Sequence, residues 1–252
     1  IAEAALPRIR NLNPRVNLTS LNLDIADTAA ANPTFFKDFD LVLVATKLPF
    51  RELISINNAC REHQVKFVSC AVFGTMGYMF SDLLQERKTE AGGVLTVKRT
   101  KKSESYCSLE HSSTTTKFNG VRPRALKRIH PVYFGLHLLW EYERKYFSFP
   151  HPEVKEDAEK LESLRGEYIA STGGDVSVIE ELLSADLVQF LAQQAQLELS
   201  PVCAIVGGIV SQDVLNVVSG KEVDVCNFFC FGDTAGGVVK AFGSSGDGGE
   251  KQ

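Results

Sequence analysis

If this chain did chemistry by itself, the groups available to it would be six cysteines, five histidines, a few glycine turns and two basic runs. The cysteines (Cys60, Cys70, Cys107, Cys203, Cys226, Cys230) are scattered and mostly sit inside apolar stretches. A structural zinc site needs paired C-x-x-C elements or a Cys/His set, and neither occurs. Cys226-x-x-x-Cys230 places two thiols on one strand face with no second pair. Such usage fits reduced, buried cysteines of a cytosolic or nuclear protein. Cys107, in a polar stretch, is the most exposed candidate nucleophile, although nothing beside it would activate the thiol. His63, His111, His130, His137 and His151 show no ligand spacing. There is no G-x-S-x-G elbow, no G-x-G-x-x-G and no G-x-x-x-x-G-K-[ST]. Gly74 and Gly77 flank a strand junction and read as a turn that needs positive φ. The cations of Lys98–Lys102 and of Arg122, Arg124, Lys127 and Arg128 read first as solvated faces, and second as contacts to an acidic surface or a nuclear address. Their neighbours are not aromatic, which argues against single-stranded nucleic acid. Asn17-Leu18-Thr19 fits the glycosylation sequon but follows no secretory signal.

The elements that would hold these groups are those of an ordinary globular protein. The 252 residues are 44% hydrophobic and 23% charged, with a formal net charge of -4. That mild acidity argues against nucleic acid as the main partner, and no signal peptide or membrane run is visible. The sequence opens without methionine at IAEAALPRIRNLNP, inside an amphipathic pattern, so an N-terminal portion of the natural protein is expected to be missing.

Residues 2–12 read as a helix ended by Asn13-Pro14. Val16–Leu23 alternates like a half-buried strand. Pro33–Phe39 is a helical turn. The run after Asp40, LVLVAT, has the continuous apolarity of a strand buried on both faces. A helix over Pro49–His63 and a strand over Lys66–Phe73 complete a βαβ unit. The expected class is therefore α/β: a Rossmann-like, doubly wound, mainly parallel sheet with helices on both faces. Tyr78–Leu84 and Val94–Arg99 read as antiparallel strands, and 101–120 as a polar loop. Arg124–Phe147 reads as a helix broken or kinked at Pro131, with further helices over His151–Ala170 and Val176–Leu197. The aromatic run Tyr133–Trp140 belongs to a core first and a docking surface second. Gly236–Phe242 is the expected last strand. Residues 1–242 thus form one unit, with a helical segment about 121–199 and a returning helix and strand over 201–232. Residues 243–252 form a low-complexity tail expected to be disordered.

That returning element, PVCAIVGGIVSQDVLNVVSG over Pro201–Gly220, is the most unusual stretch. Ser200 can cap the helix, Pro201 suits its first turn and Gly220 its end. Ala204, Gly207, Gly208, Ser211, Leu215 and Val218 make one face, and Val206, Ile209, Val210 and Val217 the other. Apolar residues on both sides predict a helix sandwiched between other elements and buried at a tight interface. Adjacent glycines cost about 1 kcal/mol each against alanine, so a close approach at that turn is expected. Gln212, Asp213 and Asn216 interrupt a run already short for a bilayer. The strand over Val225–Gly232, VCNFFCFG, follows.

From about Glu3 to Phe242, the order LNPRV, FDLVLVAT, KFVSCAVFGTMGYMF, PVCAIVGGIVSQDVLNVVSG and NFFCFGD resembles the ThiF-type adenylation fold of ubiquitin-like-protein activating enzymes. Within it, the likeness is nearest to the smaller, non-catalytic subunits of SUMO-activating heterodimers. The resemblance implies two related halves packed pseudo-symmetrically. One half binds ATP and magnesium and adenylates the modifier's C-terminal glycine; the other is mainly a structural partner. Catalytic halves carry an acidic magnesium-handling residue after the FD strand, where Lys47 stands here. The zinc-binding C-x-x-C pairs of homodimeric members are absent, and the NEDD8-type partner subunit carries a larger insertion. The resemblance therefore implies a chain with no catalytic, cofactor or metal residues of its own, with ATP and Mg bound by a cysteine-bearing activating subunit. It implies a SUMO-like modifier as the second partner, no nucleic acid, no membrane, and a nuclear and cytoplasmic location. Matched to the family motif as interface or packing positions are Pro201, Cys203, Ala204, Gly207, Gly208, Gln212, Asn227, Phe228 and Phe229. Rival readings are a partner for another modifier such as NEDD8, a Rossmann-type oxidoreductase or methyltransferase whose glycine loop precedes residue 1, and a pure scaffold.

Overall fold

A computed structural model describes residues 2–84, 106–114, 118–221, 223, 225–232 and 235–239. Val94–Arg99, the Lys98–Lys102 run and residues 243–252 lie outside them.

The N-terminal helix α1 (Ala2–Leu12) stops ahead of Pro14. The following Val16–Leu23 is not a strand. Its alternation is real, but among the described residues no strand pairs with it, and Val16, Leu21 and Leu23 stay exposed. Helix α2 (Ile25–Ala31) then begins on Asp24, whose carboxylate accepts from the amides of Ala26 and Asp27. A 3-10 turn over Pro33–Asp38 buries Phe36 and leads into β1 (Leu41–Val44). Strand β1 is only partly covered, with Leu43 exposed, rather than buried on both faces.

Helix α3 (Phe50–Glu62) returns the chain to β2 (Lys66–Phe73), which pairs parallel to β1. The first amide of α3 donates to the buried carboxylate of Glu143 at 3.0 Å, satisfying one of the amides a helix start leaves open. Strand β3 (Met76–Asp82) follows after a turn too short for a crossover, so β2 and β3 must pair antiparallel. Strands β4 (Asn227–Gly232) and β5 (Ala235–Val239) add antiparallel to it, in the order β1-β2-β3-β4-β5. The sheet is thus mixed, one parallel pair and otherwise antiparallel, inside the expected α/β Rossmann-like class.

Between β3 and β4 come the helices α4 (Leu109–Thr114), α5 (Pro123–Leu126), α6 (Pro131–Tyr146), α7 (Lys155–Ser171), α8 (Val176–Leu182), α9 (Ala185–Gln194) and α10 (Ser200–Val218). Pro131 does not kink a helix but opens one: it sits in the first turn of α6 behind a His130 cap, where a missing N–H costs nothing. The expected helix over Val176–Leu197 is two, because Ser184 accepts from the Leu187 amide and starts α9 afresh.

One face of the sheet carries Phe67, Phe73, Tyr78, Phe80 and Phe228 into a large core under α3 and α6. Phe228 packs against Phe80, Tyr133, His137 and Trp140 with centroids 4.9 to 6.2 Å apart. The other face carries Val68, Cys70, Val72 and Met79, and α10 lies on it.

Candidate functional site

Helix α10 is arranged differently from the sandwiched helix expected above. Leu199, not Ser200, stands at its N-cap, without a side-chain bond, and Ser200 and Pro201 are already helical and exposed. Val202, Val206 and Val210 are buried against β2 and β3, and Val217 is buried further along the helix. Asp213, on the same side, is buried as well. The opposite face is bare. Cys203, Ala204, Gly208, Ser211 and Gln212 are exposed and Gly207 is half-buried. Ile205, Leu215 and Val218 are 44%, 61% and 72% exposed. The division of the helix into two faces holds, and among the described residues the valine face alone is covered.

The close approach is real, but it comes from the other side. A Cβ on Gly207 or Gly208 would meet nothing within 4 Å among the described residues. On Gly77, near the start of β3, it would lie 2.7 Å from Cγ2 of Val206. The sheet glycine lets α10 settle onto the sheet, and the double glycine opens the outer surface of the helix.

The remaining motif positions are interior. Asn227 adopts a left-handed φ of 62° and donates from Nδ2 to the carbonyls of Ser81 and Cys107, both at 3.2 Å. Phe228 is fully buried, and Phe229 is half-buried on the α10 side. The motif residues therefore do not converge on one site: six lie on α10, Phe229 lies beneath it, Phe228 lies in the core on the other face of the sheet, and Asn227 is buried at the start of β4.

Other sequence candidates resolve as structure. Cys107 is buried, not exposed, because the backbone around it is tied down: Leu109 N–H donates to Asn57 Oδ1 at 2.8 Å, and Tyr106 C=O accepts from Arg61. Burial pushes its thiol up to about 12, the opposite of a nucleophile's shift. Cys60 is pushed up to about 12 and Cys70 to about 11 for the same reason. Cys203 is the exposed exception to the expectation of buried thiols. Among the described residues no group of three His, Cys, Asp or Glu side chains could hold a metal ion. In the Arg122–Arg128 cluster the cations are exposed, but the backbone is fixed by Leu126 and Ile129 in the core, and Lys127 pairs with Glu181 at 2.8 Å. A segment folded in this way is not an extended address peptide.

The carboxyl ends of β1 and β2 form the crevice where a parallel α/β sheet binds its ligand. Here the crevice is occupied by the chain itself. Gly74, at φ 59°, donates its N–H to the Leu197 carbonyl at 3.0 Å. The Gln194 side chain fills the space where a Gly74 Cβ would be and accepts from Thr75 N–H at 2.8 Å. Lys47 reaches over from the end of β1 and donates to the carbonyls of Ala195 at 3.3 Å and Leu197 at 3.0 Å. Its ammonium lies 3.6 Å from Glu198 and 5.3 Å from the Phe73 ring centre. Desolvation lowers its pKa, partly offset by Glu198. A cation bound to backbone carbonyls, with the Gln194–Glu198 segment laid across the ends of β1 and β2, does not fit Mg·ATP. A divalent ion would need oxygen ligands where Lys47 stands. The identity of Lys47 is readable in the sequence; Gln194 and Leu197 carry no motif that signals their part.

Helix α10 is, among the described residues, the one long and apolar enough to cross a membrane by length and composition. Its valine stripe is seated on the sheet, however, and Asp213 is buried within that stripe.

A mixed Rossmann-like sheet, a self-filled crevice and a motif helix with one bare face define the class. The chain matches the ThiF family over residues 2–242 and belongs to it. It is similar to SUMO-activating enzyme subunit 1 of Mus musculus, with 31% identity over 96% of this chain and 72% of that protein. Similar too are the proteins of the same name from Xenopus laevis and Homo sapiens, each 29% identical over 96% of this chain, covering 74% and 73% of those proteins.

Proposed function

We propose that this chain is the non-catalytic subunit of a heterodimeric SUMO-activating enzyme. The observation that carries the reading is the bare face of α10. Small residues at Ala204, Gly207, Gly208 and Ser211 admit another backbone closely, and Ile205, Leu215 and Val218 are large apolar groups left in water. A contiguous exposed apolar face of this kind marks a contact with another macromolecule. The α10 face receives the cysteine-bearing subunit, which supplies ATP, magnesium and the thiol. There the modifier's C-terminal carboxylate attacks the α-phosphate of ATP and releases pyrophosphate, and the partner's cysteine then displaces AMP to leave a thioester. This chain completes the fold of its partner and helps to shape the surface that receives the modifier, in the nucleus and the cytoplasm.

The test is pyrophosphate release with ATP and SUMO. The purified chain gives none by itself, and mixing it with the activating subunit restores turnover. Robust release from the lone chain overturns the division of labour. Affinity capture with mass spectrometry separates the alternatives: the captured partner is a cysteine-bearing activating subunit of the SUMO system, whereas one serving NEDD8 would reassign the modifier.

A further inference from the structure

Lys47 does something more specific than keep a metal away. Its side chain is 13% exposed, so its charge has lost most of its water and must be compensated within the protein. The salt bridge to Glu198 is a weak return, since Glu198 is 57% exposed and the pair stands 3.6 Å apart. The compensation comes from two carbonyls. Ala195 is the C-cap of α9, where the last carbonyls have no partner inside the helix and the helix dipole favours a cation. The Leu197 carbonyl accepts twice, from Lys47 Nζ and from Gly74 N–H, each at 3.0 Å. One oxygen therefore joins the end of β1, the end of β2 and the link between α9 and α10. Gln194 adds a second tie to the same turn through Thr75 N–H. Two residues beyond Leu197 stands Leu199, the N-cap of α10, which has no side-chain cap of its own. The start of α10 is fixed by this clasp rather than by a local capping bond.

We propose that Lys47 is a positioning residue for subunit assembly: by binding the Ala195 and Leu197 carbonyls it clamps the Gln194–Glu198 link across the ends of β1 and β2, and so sets the pose in which α10 offers its bare face. The proposal rests on the reading of that face as the subunit interface. It also gives a physical reason for lysine where a metal-handling half carries an acid. A carboxylate at this place would face two carbonyl oxygens, and the clasp would repel itself.

The experiment compares Lys47→Met, which keeps the stem without the donors, with Lys47→Arg, which keeps donors and charge. Hydrogen exchange in the full chain reads the clasp without any partner. In Lys47→Met the amides of Gly74, Thr75 and Cys203 exchange at least about tenfold faster, while those of β2 and α6 are unchanged. Affinity for the cysteine-bearing activating subunit falls by about tenfold or more, which corresponds to about 1.4 kcal/mol. Lys47→Arg stays near wild type in both. Unchanged exchange and unchanged affinity in Lys47→Met overturn the proposal. So does a uniform rise in exchange across the whole chain, which marks a merely structural lysine. If the wild-type chain fails to bind the subunit, the interface reading fails; an exchange effect confined to the clasp still stands in that case, and its absence sinks the clamp as well.

Discussion

The two faces of the sheet are finished to different degrees. Toward α3 and α6, Phe67, Tyr78, Phe80 and Phe228 interlock with Tyr133 and Trp140, and each of these is at most 3% exposed. Toward α10, the layer is thin and aliphatic: Val68, Val72 and Met79 meet Val202, Val206 and Val210, and Phe229 and Phe231 remain half-covered. The first face has a second layer of helices behind it, since α7 and α9 pack on α6. Among the described residues nothing packs behind α10, and Leu215 and Val218 are exposed. Two-layer packing buries both sides of an element when one chain supplies all the layers. The contrast teaches that tight packing is concentrated on one side of the sheet; with the α10 face as the proposed site of assembly, substitutions on the two sides should report on different properties.

The largest expected effect is therefore on the aromatic side. Phe228→Ala empties a fully buried site among four rings and should cost about 3–5 kcal/mol in denaturant unfolding. A loss below about 1 kcal/mol would mean that this face collapses readily and is not the stable half.

Next comes a pH effect from the same core. His137 is buried between Tyr133, Trp140 and Phe228, and one ring nitrogen lies 2.9 Å from the Tyr133 carbonyl. Burial, the largest cause, lowers its pKa from 6.5 to about 4, with the Tyr133 bond opposing. The folded state therefore takes up the proton later than the unfolded chain does. Its contribution is complete above pH 6.5 and is lost as pH falls toward 4, by about 3 kcal/mol in all. His137→Phe should flatten that part of the stability profile between pH 6.5 and 4. An unchanged acid limb would place the titrating group elsewhere.

Much of this contrast was legible in advance, and its limits are physical. Strand β2 and helix α3 matched their sequence signals because apolar periodicity, Pro49 and the turn at Gly74 all act locally. Val16–Leu23 failed because alternation yields a strand only where a neighbour supplies the ladder. The helix over Val176–Leu197 was split by one hydroxyl at Ser184, a cap hidden inside a continuous apolar rhythm. Cys107 was misjudged from its polar neighbours, since Asn57, Arg61 and Asn227, all distant in sequence, close over that segment. Lys47 could be recognised as an anomaly, but its acceptors lie 148 and 150 residues away. For α10 the wheel gave both faces correctly. What it could not give is whether the second apolar face is covered by the same chain, because composition does not record which molecule supplies the cover.

On the thinner side, Gly77→Ala should cost about 1–3 kcal/mol, because the new methyl sits 2.7 Å from Val206 Cγ2 in a packed layer. Val206→Ala in the same chain should return part of that loss, a coupling expected only of residues in contact. Strict additivity of the two changes would separate α10 from β3 and undo the account of why glycine stands there.

The smallest effect on the lone chain sharpens the comparison most. Gly208→Leu adds a large side chain where a Cβ meets nothing within 4 Å, on an exposed turn of α10. Among the described residues there is nothing to overpack, and leucine is a better helix former than glycine, so unfolding should shift by no more than about 1 kcal/mol, toward greater stability. Against a partner backbone seated on Ala204, Gly207 and Gly208 the same side chain has no room. Affinity for the activating subunit should then fall by at least about tenfold. Gly77→Ala and Gly208→Leu thus form a crossed pair on opposite sides of one helix, the first weakening the fold and the second weakening assembly while the fold holds. If Gly208→Leu co-purifies with the subunit at wild-type yield and affinity, the bare face of α10 is not where the two chains meet.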